Sequence, residues 1–219
     1  MARSCPPARP APARRAAGGL FSLILLIATT LPSVPAWPQA ASDQASAHVL
    51  ALVEEFRAII DDADPFRTRV ARVSALVDMT VARSAVARYV AGPSWNVADV
   101  DHREAYLIAY GRYLDVLIAR RLETYAGEQV VHLGARLLED GDSLVALRVD
   151  HDRAATRIVQ WRIRMSDTGP LILDVLVDGV SLAANQREEF AAIHDGSSEG
   201  IALLTAALEA QTERMIAVQ

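Results

Sequence analysis

Four segments between residues 131 and 177 alternate apolar and polar side chains, and this pattern constrains the fold more than any other feature of the chain. The segments are residues 131–137, 145–149, 159–165 and 171–177. A period of two predicts β-strands that bury one face and expose the other. Short turns such as Asp140-Gly141 join strands that lie next to each other in the chain, so we predict an antiparallel four-stranded meander.

Helical periodicity flanks the strands on both sides. Apolar residues recur at helical spacing in 48–60, where Val49, Val53, Phe56 and Ile60 share a face, and in 66–91. Further helices are predicted from a cap at Asp99 or Asp101 to about Tyr125, over 182–193, and after Ser198, with Ile201, Leu204, Leu208 and Met215 on one face. Residues 41–47 are predicted to be a loose terminus. Together these segments predict an α+β fold: a curved antiparallel four-stranded meander whose apolar face is covered by helices from both chain ends.

Residues 1–40 differ in composition from the rest of the chain. They contain four arginines and no acid, then an apolar run of about 12 residues from Leu20, then small residues. This order predicts a secretory signal peptide cleaved after Ala36 or Ala40, because a run of this length falls short of the ~20 residues that span a membrane. Residues 41–219 are then a single exported domain without cysteine, since the lone Cys5 lies in the leader.

The remaining 179 residues keep 18 of the 22 arginines and all 27 acids, a net charge of −9. This charge argues against a nucleic-acid partner and predicts weak direct binding to anionic membranes. We therefore expect the chain to dock on partner proteins more than on bare membranes, and to be a monomer.

No catalytic motif stands out, and we predict neither an enzyme nor a cofactor. The chain lacks a phosphate-binding glycine loop, a nucleophile elbow and a zinc-binding helix, and its five histidines are far apart in sequence. We assign no catalytic residue and no metal ligand. A buried carboxylate in a cavity is enough for proton transfer, and Asp174 is the acid within the predicted strands, although alternation puts it on the polar face. An isomerase or hydratase therefore remains an alternative.

Two stretches of the chain carry a family resemblance. Residues 174–190, DVLVDGVSLAANQREEF, resemble the signature of the MlaC family of periplasmic phospholipid-binding proteins, and residues 87–92 with Trp95 resemble a second family segment. The similarity extends in order over about 48–210. Two pairs of residues depart from the family pattern: Val81-Ala82 stands where the family often has Phe-Asp, and Gln186-Arg187 stands where it has Tyr-Arg. A different lipid, such as a hopanoid, therefore stays open.

The resemblance implies a periplasmic lipid carrier. Members of this family, also known for toluene tolerance and as ABC-transporter auxiliary components, pass phospholipid between an outer-membrane lipoprotein–porin complex and an inner-membrane ABC transporter, which maintains outer-membrane lipid asymmetry. We expect acyl tails to lie between sheet and helices, with Arg187 contacting the headgroup. The candidate lining residues are Tyr106, Tyr110, Tyr113, Leu117, Leu133, Leu147, Trp161, Ile163, Leu173, Val175, Val180 and Phe190. Their alternative role is to fill a solid core, as in a plain interaction domain.

Overall fold

The computed structural model describes residues 37–62, 64–123, 128–150, 155–193 and 197–217. Residues 1–36, which make up most of the predicted signal peptide, lie outside these ranges. The helices are α1 (Trp37–Asp61), α2 (Phe66–Thr80), α3 (Arg83–Ala91), α4 (Ser94–Val97), α5 (Val100–Leu122), α6 (Leu182–Ala191) and α7 (Ser198–Ala217). The strands are β1 (Gln129–Leu137), β2 (Ser143–Asp150), β3 (Arg157–Ser166), β4 (Gly169–Val177) and β5 (Val180–Ser181).

The α+β class and the antiparallel meander are confirmed, but the sheet has five strands in the described residues, in the order β1-β2-β3-β4-β5. The additional strand is the short β5, which turns back on β4 through Asp178-Gly179. Both turn residues have positive φ, +50° at Asp178 and +84° at Gly179. A two-residue strand is too short to show any alternation, so the sequence pattern could not reveal it.

Two irregularities in the register change which residues face inward. In β1 the pairing with β2 shifts between His132 and Gly134, so an extra residue, Leu133, enters that strand. In β4 the shift places both Leu173 and Asp174 opposite Arg162, and Ile172 pairs with the inward Ile163. Ile172 is accordingly buried, although simple alternation puts it on the polar face. Alternation holds through β2 and β3, where no such shift separates the two strands.

The helices differ from the prediction in two details and agree with it in a third. Residues 41–47 belong to α1, where Ser42 and Ala45 are buried, so the prediction of a loose terminus is wrong. The pattern over 66–91 is two helices, since Val81 leaves the helix and forms a parallel bridge with Ile172. Asp99 caps α5, as predicted, by accepting a hydrogen bond from the His102 amide at 2.8 Å.

The helices form two layers rather than one cover. α1 packs directly on the sheet, where Ala45, Val49 and Leu52 meet Val145 and other inward strand residues. The C-terminal α7 does not cover the sheet; it packs against α5 and α4. α5 itself is packed by α2, α3 and α7. A cavity lies in the space between α5 and the sheet.

Candidate functional site: an apolar cavity

A cavity of about 660 Å³ lies between α5 and the inner face of the sheet. Its size is within the range of ~300–1,000 Å³ that is common for small-molecule sites. Helices α1, α2, α3 and α6 complete the wall. Most of the lining is aliphatic or aromatic, so the cavity suits an apolar ligand better than a polar one.

The two ends of the cavity differ in chemistry. At the apolar end, the walls are Val77, Val81, Val86 and Ile172. At the other end, which we call the charged end, the walls include Arg57, Arg121, Glu128 and Arg157. Strand register separates the two sets, since Ile172 pairs with Ile163, six residues along β3 from Arg157.

The charged end meets solvent, as do Leu182, Asn185 and Glu189, which line the cavity from α6. Arg121 and Arg157 are exposed, and Arg157 forms an ion pair with Asp178 at 2.6 Å. Arg57 is half-buried and pairs with Glu54 on its own helix at 2.7 Å. Because the charged end carries the arginines of the wall, we take it as the entrance for the polar part of a ligand, with the apolar end away from it.

Three tyrosines of α5 form a continuous row of rings. Successive centroids from Tyr106 to Tyr110 to Tyr113 are 5.9 and 6.3 Å apart. Trp95 extends the row at one end, at 6.3 Å, and Phe190 extends it at the other, at 6.0 Å. Rings at these separations are in favourable tilted or edge contact, so the row ties α4, α5 and α6 together.

The three hydroxyl groups have different surroundings. Tyr106 donates to the Ala87 carbonyl at 2.9 Å, and Tyr110 donates to Gln186 Oε1 at 2.9 Å. Burial raises the pKa of all three tyrosines above the ordinary value, so each hydroxyl is a neutral donor at physiological pH. For Tyr113 the charge of Glu189 raises the pKa further, and the charge of Arg121 opposes it.

Asp174 lines the cavity, although the register of β4 pairs it with Arg162 of the polar face. Its Oδ1 accepts the amide of Ala183, at 3.2 Å, and that of Val175, at 2.9 Å. Ala183 is in the first turn of α6, where unpaired amides favour an acidic partner. The position of Asp174 is thus explained by the way α6 is fixed to the sheet.

The structure places seven of the twelve predicted lining residues on the cavity wall: Tyr110, Tyr113, Leu117, Leu147, Trp161, Leu173 and Val175. Tyr106 and Ile163 are fully buried in the packed cores, and Phe190 packs on Tyr113. Leu133 and Val180 are exposed, because of the shift in β1 and the solvent-facing position of β5. These five are outside the cavity lining.

Some lining residues were missed, although part of the signal for them was present. Val53, Phe56 and Ile60 line the cavity from α1, and all three belong to the helical face predicted from periodicity. Leu114 and Ile118 extend the α5 wall. The periodicity of α1 and α5 does not show that their apolar faces line the same cavity, because only the packing of the two helices brings these faces together.

Arg187 does not stand at the entrance, contrary to the prediction. Its Nη1 donates to the Tyr89 carbonyl at 3.1 Å, and its guanidinium lies 5.0 Å from the centroid of the Tyr89 ring. These contacts hold α6 against α3, and Arg187 is not part of the cavity lining. The arginines on the wall are instead those of the charged end.

Within the described ranges, no group of three or more His, Cys, Asp or Glu side chains is arranged to hold a metal ion. The helices in those ranges include none with the length and apolarity needed to cross a membrane.

Comparisons with known proteins agree with this geometry. A family model described as MlaC protein matches residues 43–210. No curated protein sequence matches the chain. Among solved structures, a protein from Ralstonia solanacearum, described as a phospholipid-binding protein in complex with a phospholipid, aligns with a TM-score of 0.66 at 20% identity. The alignment covers 79% of this chain and 99% of that one, so the two share a fold.

Proposed function

The chain belongs to the MlaC family, and we propose that it is a lipid carrier whose cavity holds the acyl tails of a phospholipid. The observation that carries this proposal is the apolar cavity between α5 and the sheet. Its charged end suits the polar part of such a molecule, and its apolar end suits the tails. The phospholipid bound to the Ralstonia solanacearum protein, which has the same fold, supports this choice of ligand.

The energetics of lipid transfer explain why a carrier needs such a cavity. Each methylene group transferred from lipid to water costs about 0.8 kcal/mol, so two tails of roughly 16 carbons cost about 25 kcal/mol in total. Free diffusion of the lipid through water is therefore too rare to be useful. An apolar wall that covers the tails removes this cost.

We propose further that the carrier works in the periplasm, between an outer-membrane complex and an inner-membrane ABC transporter. The leader-like residues 1–40 support export. The net charge of −9 on residues 41–219 disfavours adsorption to anionic bilayers, so docking on proteins is the expected route of loading and release. Phospholipid is preferred to a hopanoid as the ligand because the entrance is charged.

We prefer a carrier to an isomerase or hydratase. A cavity enzyme requires a carboxylate that is available to a substrate, and Asp174 is the wall acid whose charge acts on Tyr110. Its contacts with the amides of Ala183 and Val175 give it a role in holding α6. The other acids of the lining, Glu128 and Glu189, share the cavity wall with three arginines, Arg57, Arg121 and Arg157.

The first test is to identify what the protein carries. Protein purified from its native periplasm without detergent should release a diacyl phospholipid on denaturing mass spectrometry, at about one molecule per chain. A polar metabolite or a hopanoid in its place would contradict the proposal, and so would reproducible absence of any lipid.

A second test blocks the cavity. Leu117→Trp adds a large side chain to the α5 wall and should strongly reduce co-purified lipid while the protein stays folded by circular dichroism. Leu203→Trp, on the exposed side of α7, is the matched control and should retain lipid. Equal lipid content in both variants would show that the tails lie elsewhere.

A further inference from the structure

Tyr113 differs from the other two tyrosines of α5 in having no hydrogen-bond partner among the residues that the structure describes. Tyr113 is only 7% exposed and lines the cavity. Its hydroxyl is not enclosed by protein atoms, so it meets the cavity space and is available to a ligand. The hydroxyls of Tyr106 and Tyr110 are already bonded to Ala87 and Gln186.

The surroundings of Tyr113 show where its hydroxyl lies. The charges of Glu189 and Arg121 both act on it, and both residues line the cavity. Arg121 is eight residues further along α5, about 12 Å at 1.5 Å per residue, and Leu117 lies between them on the same face. Tyr113 is therefore deeper in the cavity than the charged end, yet close to polar groups.

The same surroundings favour an uncharged acceptor. Glu189 and Arg121 carry opposite charges and both line the cavity near Tyr113, so the site offers no net cation to an anion such as a phosphate. The hydroxyl is neutral and suits a carbonyl oxygen. In a diacyl phospholipid, the ester carbonyl groups lie between the charged headgroup and the tails, which is the position of Tyr113 between the charged and apolar ends.

We propose that the Tyr113 hydroxyl donates a hydrogen bond to an ester carbonyl oxygen of the bound lipid. This inference rests on the proposed function and assigns one residue of the cavity to one chemical group of the ligand. The bond fixes how far the lipid enters: the phosphate stays at the charged end, and the tails extend toward Val81 and Ile172. It also makes the carrier selective for ester-linked over ether-linked lipids, because an ether lacks the carbonyl acceptor.

A competition experiment tests this selectivity. Lipid-free protein is incubated with vesicles that contain equal amounts of dipalmitoyl phosphatidylcholine and its dihexadecyl ether analogue, and the lipid bound to the re-isolated protein is measured by mass spectrometry. We expect the wild-type protein to take up the diester in about fivefold excess, which corresponds to one hydrogen bond. Tyr113→Phe should take up both lipids equally.

Tyr106→Phe is the matched control, because its hydroxyl is bonded within the protein, and it should keep the wild-type preference. Equal uptake of the two lipids by the wild-type protein would overturn the inference, and so would a preference that persists in Tyr113→Phe. The wild-type result does not depend on how well a variant folds. Failure of the wild-type protein to take up either lipid would instead count against the proposed function.

Discussion

The two sides of α5 show how one helix can both close a core and leave a space open. Toward α7, Ile201, Leu204 and Leu208 are at most 1% exposed and pack with the tyrosine row. Toward the sheet, Leu117 and its neighbours face the cavity of about 660 Å³. Both sides are apolar, so hydrophobicity alone does not decide which one is filled.

The difference lies in what holds α5 in place. α2, α3 and α7 all pack against it, and Arg83 at the start of α3 binds the buried Asp115 of α5 through two hydrogen bonds, at 2.7 and 3.2 Å. With α5 supported from these directions, it does not have to settle onto the sheet. We infer that the helical side provides stability, whereas the sheet side provides room.

The largest expected effect follows directly from this comparison. Leu208→Ala removes a side chain from the filled side and should lower the free energy of unfolding by about 2–5 kcal/mol. Leu117→Ala, on the cavity wall, should lower it by less than about 1.5 kcal/mol, because less packing is lost. Urea unfolding of the lipid-free proteins measures both. Equal losses would mean that the cavity side is packed as tightly as the other.

The second prediction concerns the support from α3. A Cβ atom at Gly111 would lie 2.8 Å from Nη1 of Arg83, so Gly111→Ala must displace that side chain from Asp115. We expect a loss of about 1–3 kcal/mol, since a buried carboxylate loses charged hydrogen bonds.

The matched background for this variant is Arg83→Ala. There, Gly111→Ala should be neutral or stabilising by up to about 1 kcal/mol, as expected for alanine in a helix. Stabilisation in the presence of Arg83 would contradict the proposed support.

A smaller effect distinguishes two tyrosines of the same row. Tyr106→Phe leaves the Ala87 carbonyl without its donor and should cost about 1 kcal/mol. Tyr113→Phe removes a hydroxyl that has no partner among the described residues, so its free energy of unfolding should change by less than about 0.5 kcal/mol. A larger loss for Tyr113 than for Tyr106 in thermal unfolding would reverse this assignment.

The smallest expected effects are on pH dependence, and they have opposite signs in the two layers. Burial raises the pKa of Asp115, which more than offsets the Ser74 hydrogen bond and the Arg83 charge. The folded protein then binds this proton more tightly than the unfolded chain, so the Asp115 contribution improves as pH falls through its raised pKa. Asp115→Asn should remove that gain.

Asp142, in the β1–β2 turn, has the opposite behaviour. Burial disfavours its charge, yet hydrogen bonds from Arg164 and Arg162 lower its pKa below the ordinary value. Its contribution is present above about pH 4 and is lost as pH falls through the lowered pKa. Asp142→Asn should therefore flatten the loss of stability in acid. Unfolding curves at several pH values give the slope of the free energy of unfolding against pH for the wild-type protein and for each variant. If the two substitutions changed this slope in the same direction, the assignment would be contradicted.

Much of the fold could be predicted from periodicity, and the exceptions have local causes. The strands β2 and β3 alternate as expected, and the apolar face of α7 contains Ile201, Leu204 and Leu208 as predicted. The register shift at Leu173 has no mark in the sequence, whereas the shift at Leu133 is followed by Gly134, whose φ of +125° is typical of glycine at a bulge. The break after Thr80 contains neither glycine nor proline, so nothing in the sequence marks it.

The cavity was harder to predict than its walls. Seven of the proposed lining residues lie on it, but a row of apolar residues has the same pattern whether it meets a side chain or a space. Arg187 illustrates a second limit: a cation near the family signature was expected to meet a headgroup, and its position against Tyr89 depends on how α6 and α3 pack. Such contacts join residues far apart in the sequence.

The bridge between Val81 and Ile172 has a mechanical consequence. The Ala82 amide, between α2 and α3, donates to the Ile172 carbonyl at 2.9 Å, so main-chain hydrogen bonding joins this segment to the sheet. It lies at the apolar end, so the two layers are joined there. If the layers separate, the displacement is smallest near this bond and largest at the charged end. We expect a bound lipid to leave headgroup first, with the ends of its acyl tails leaving last.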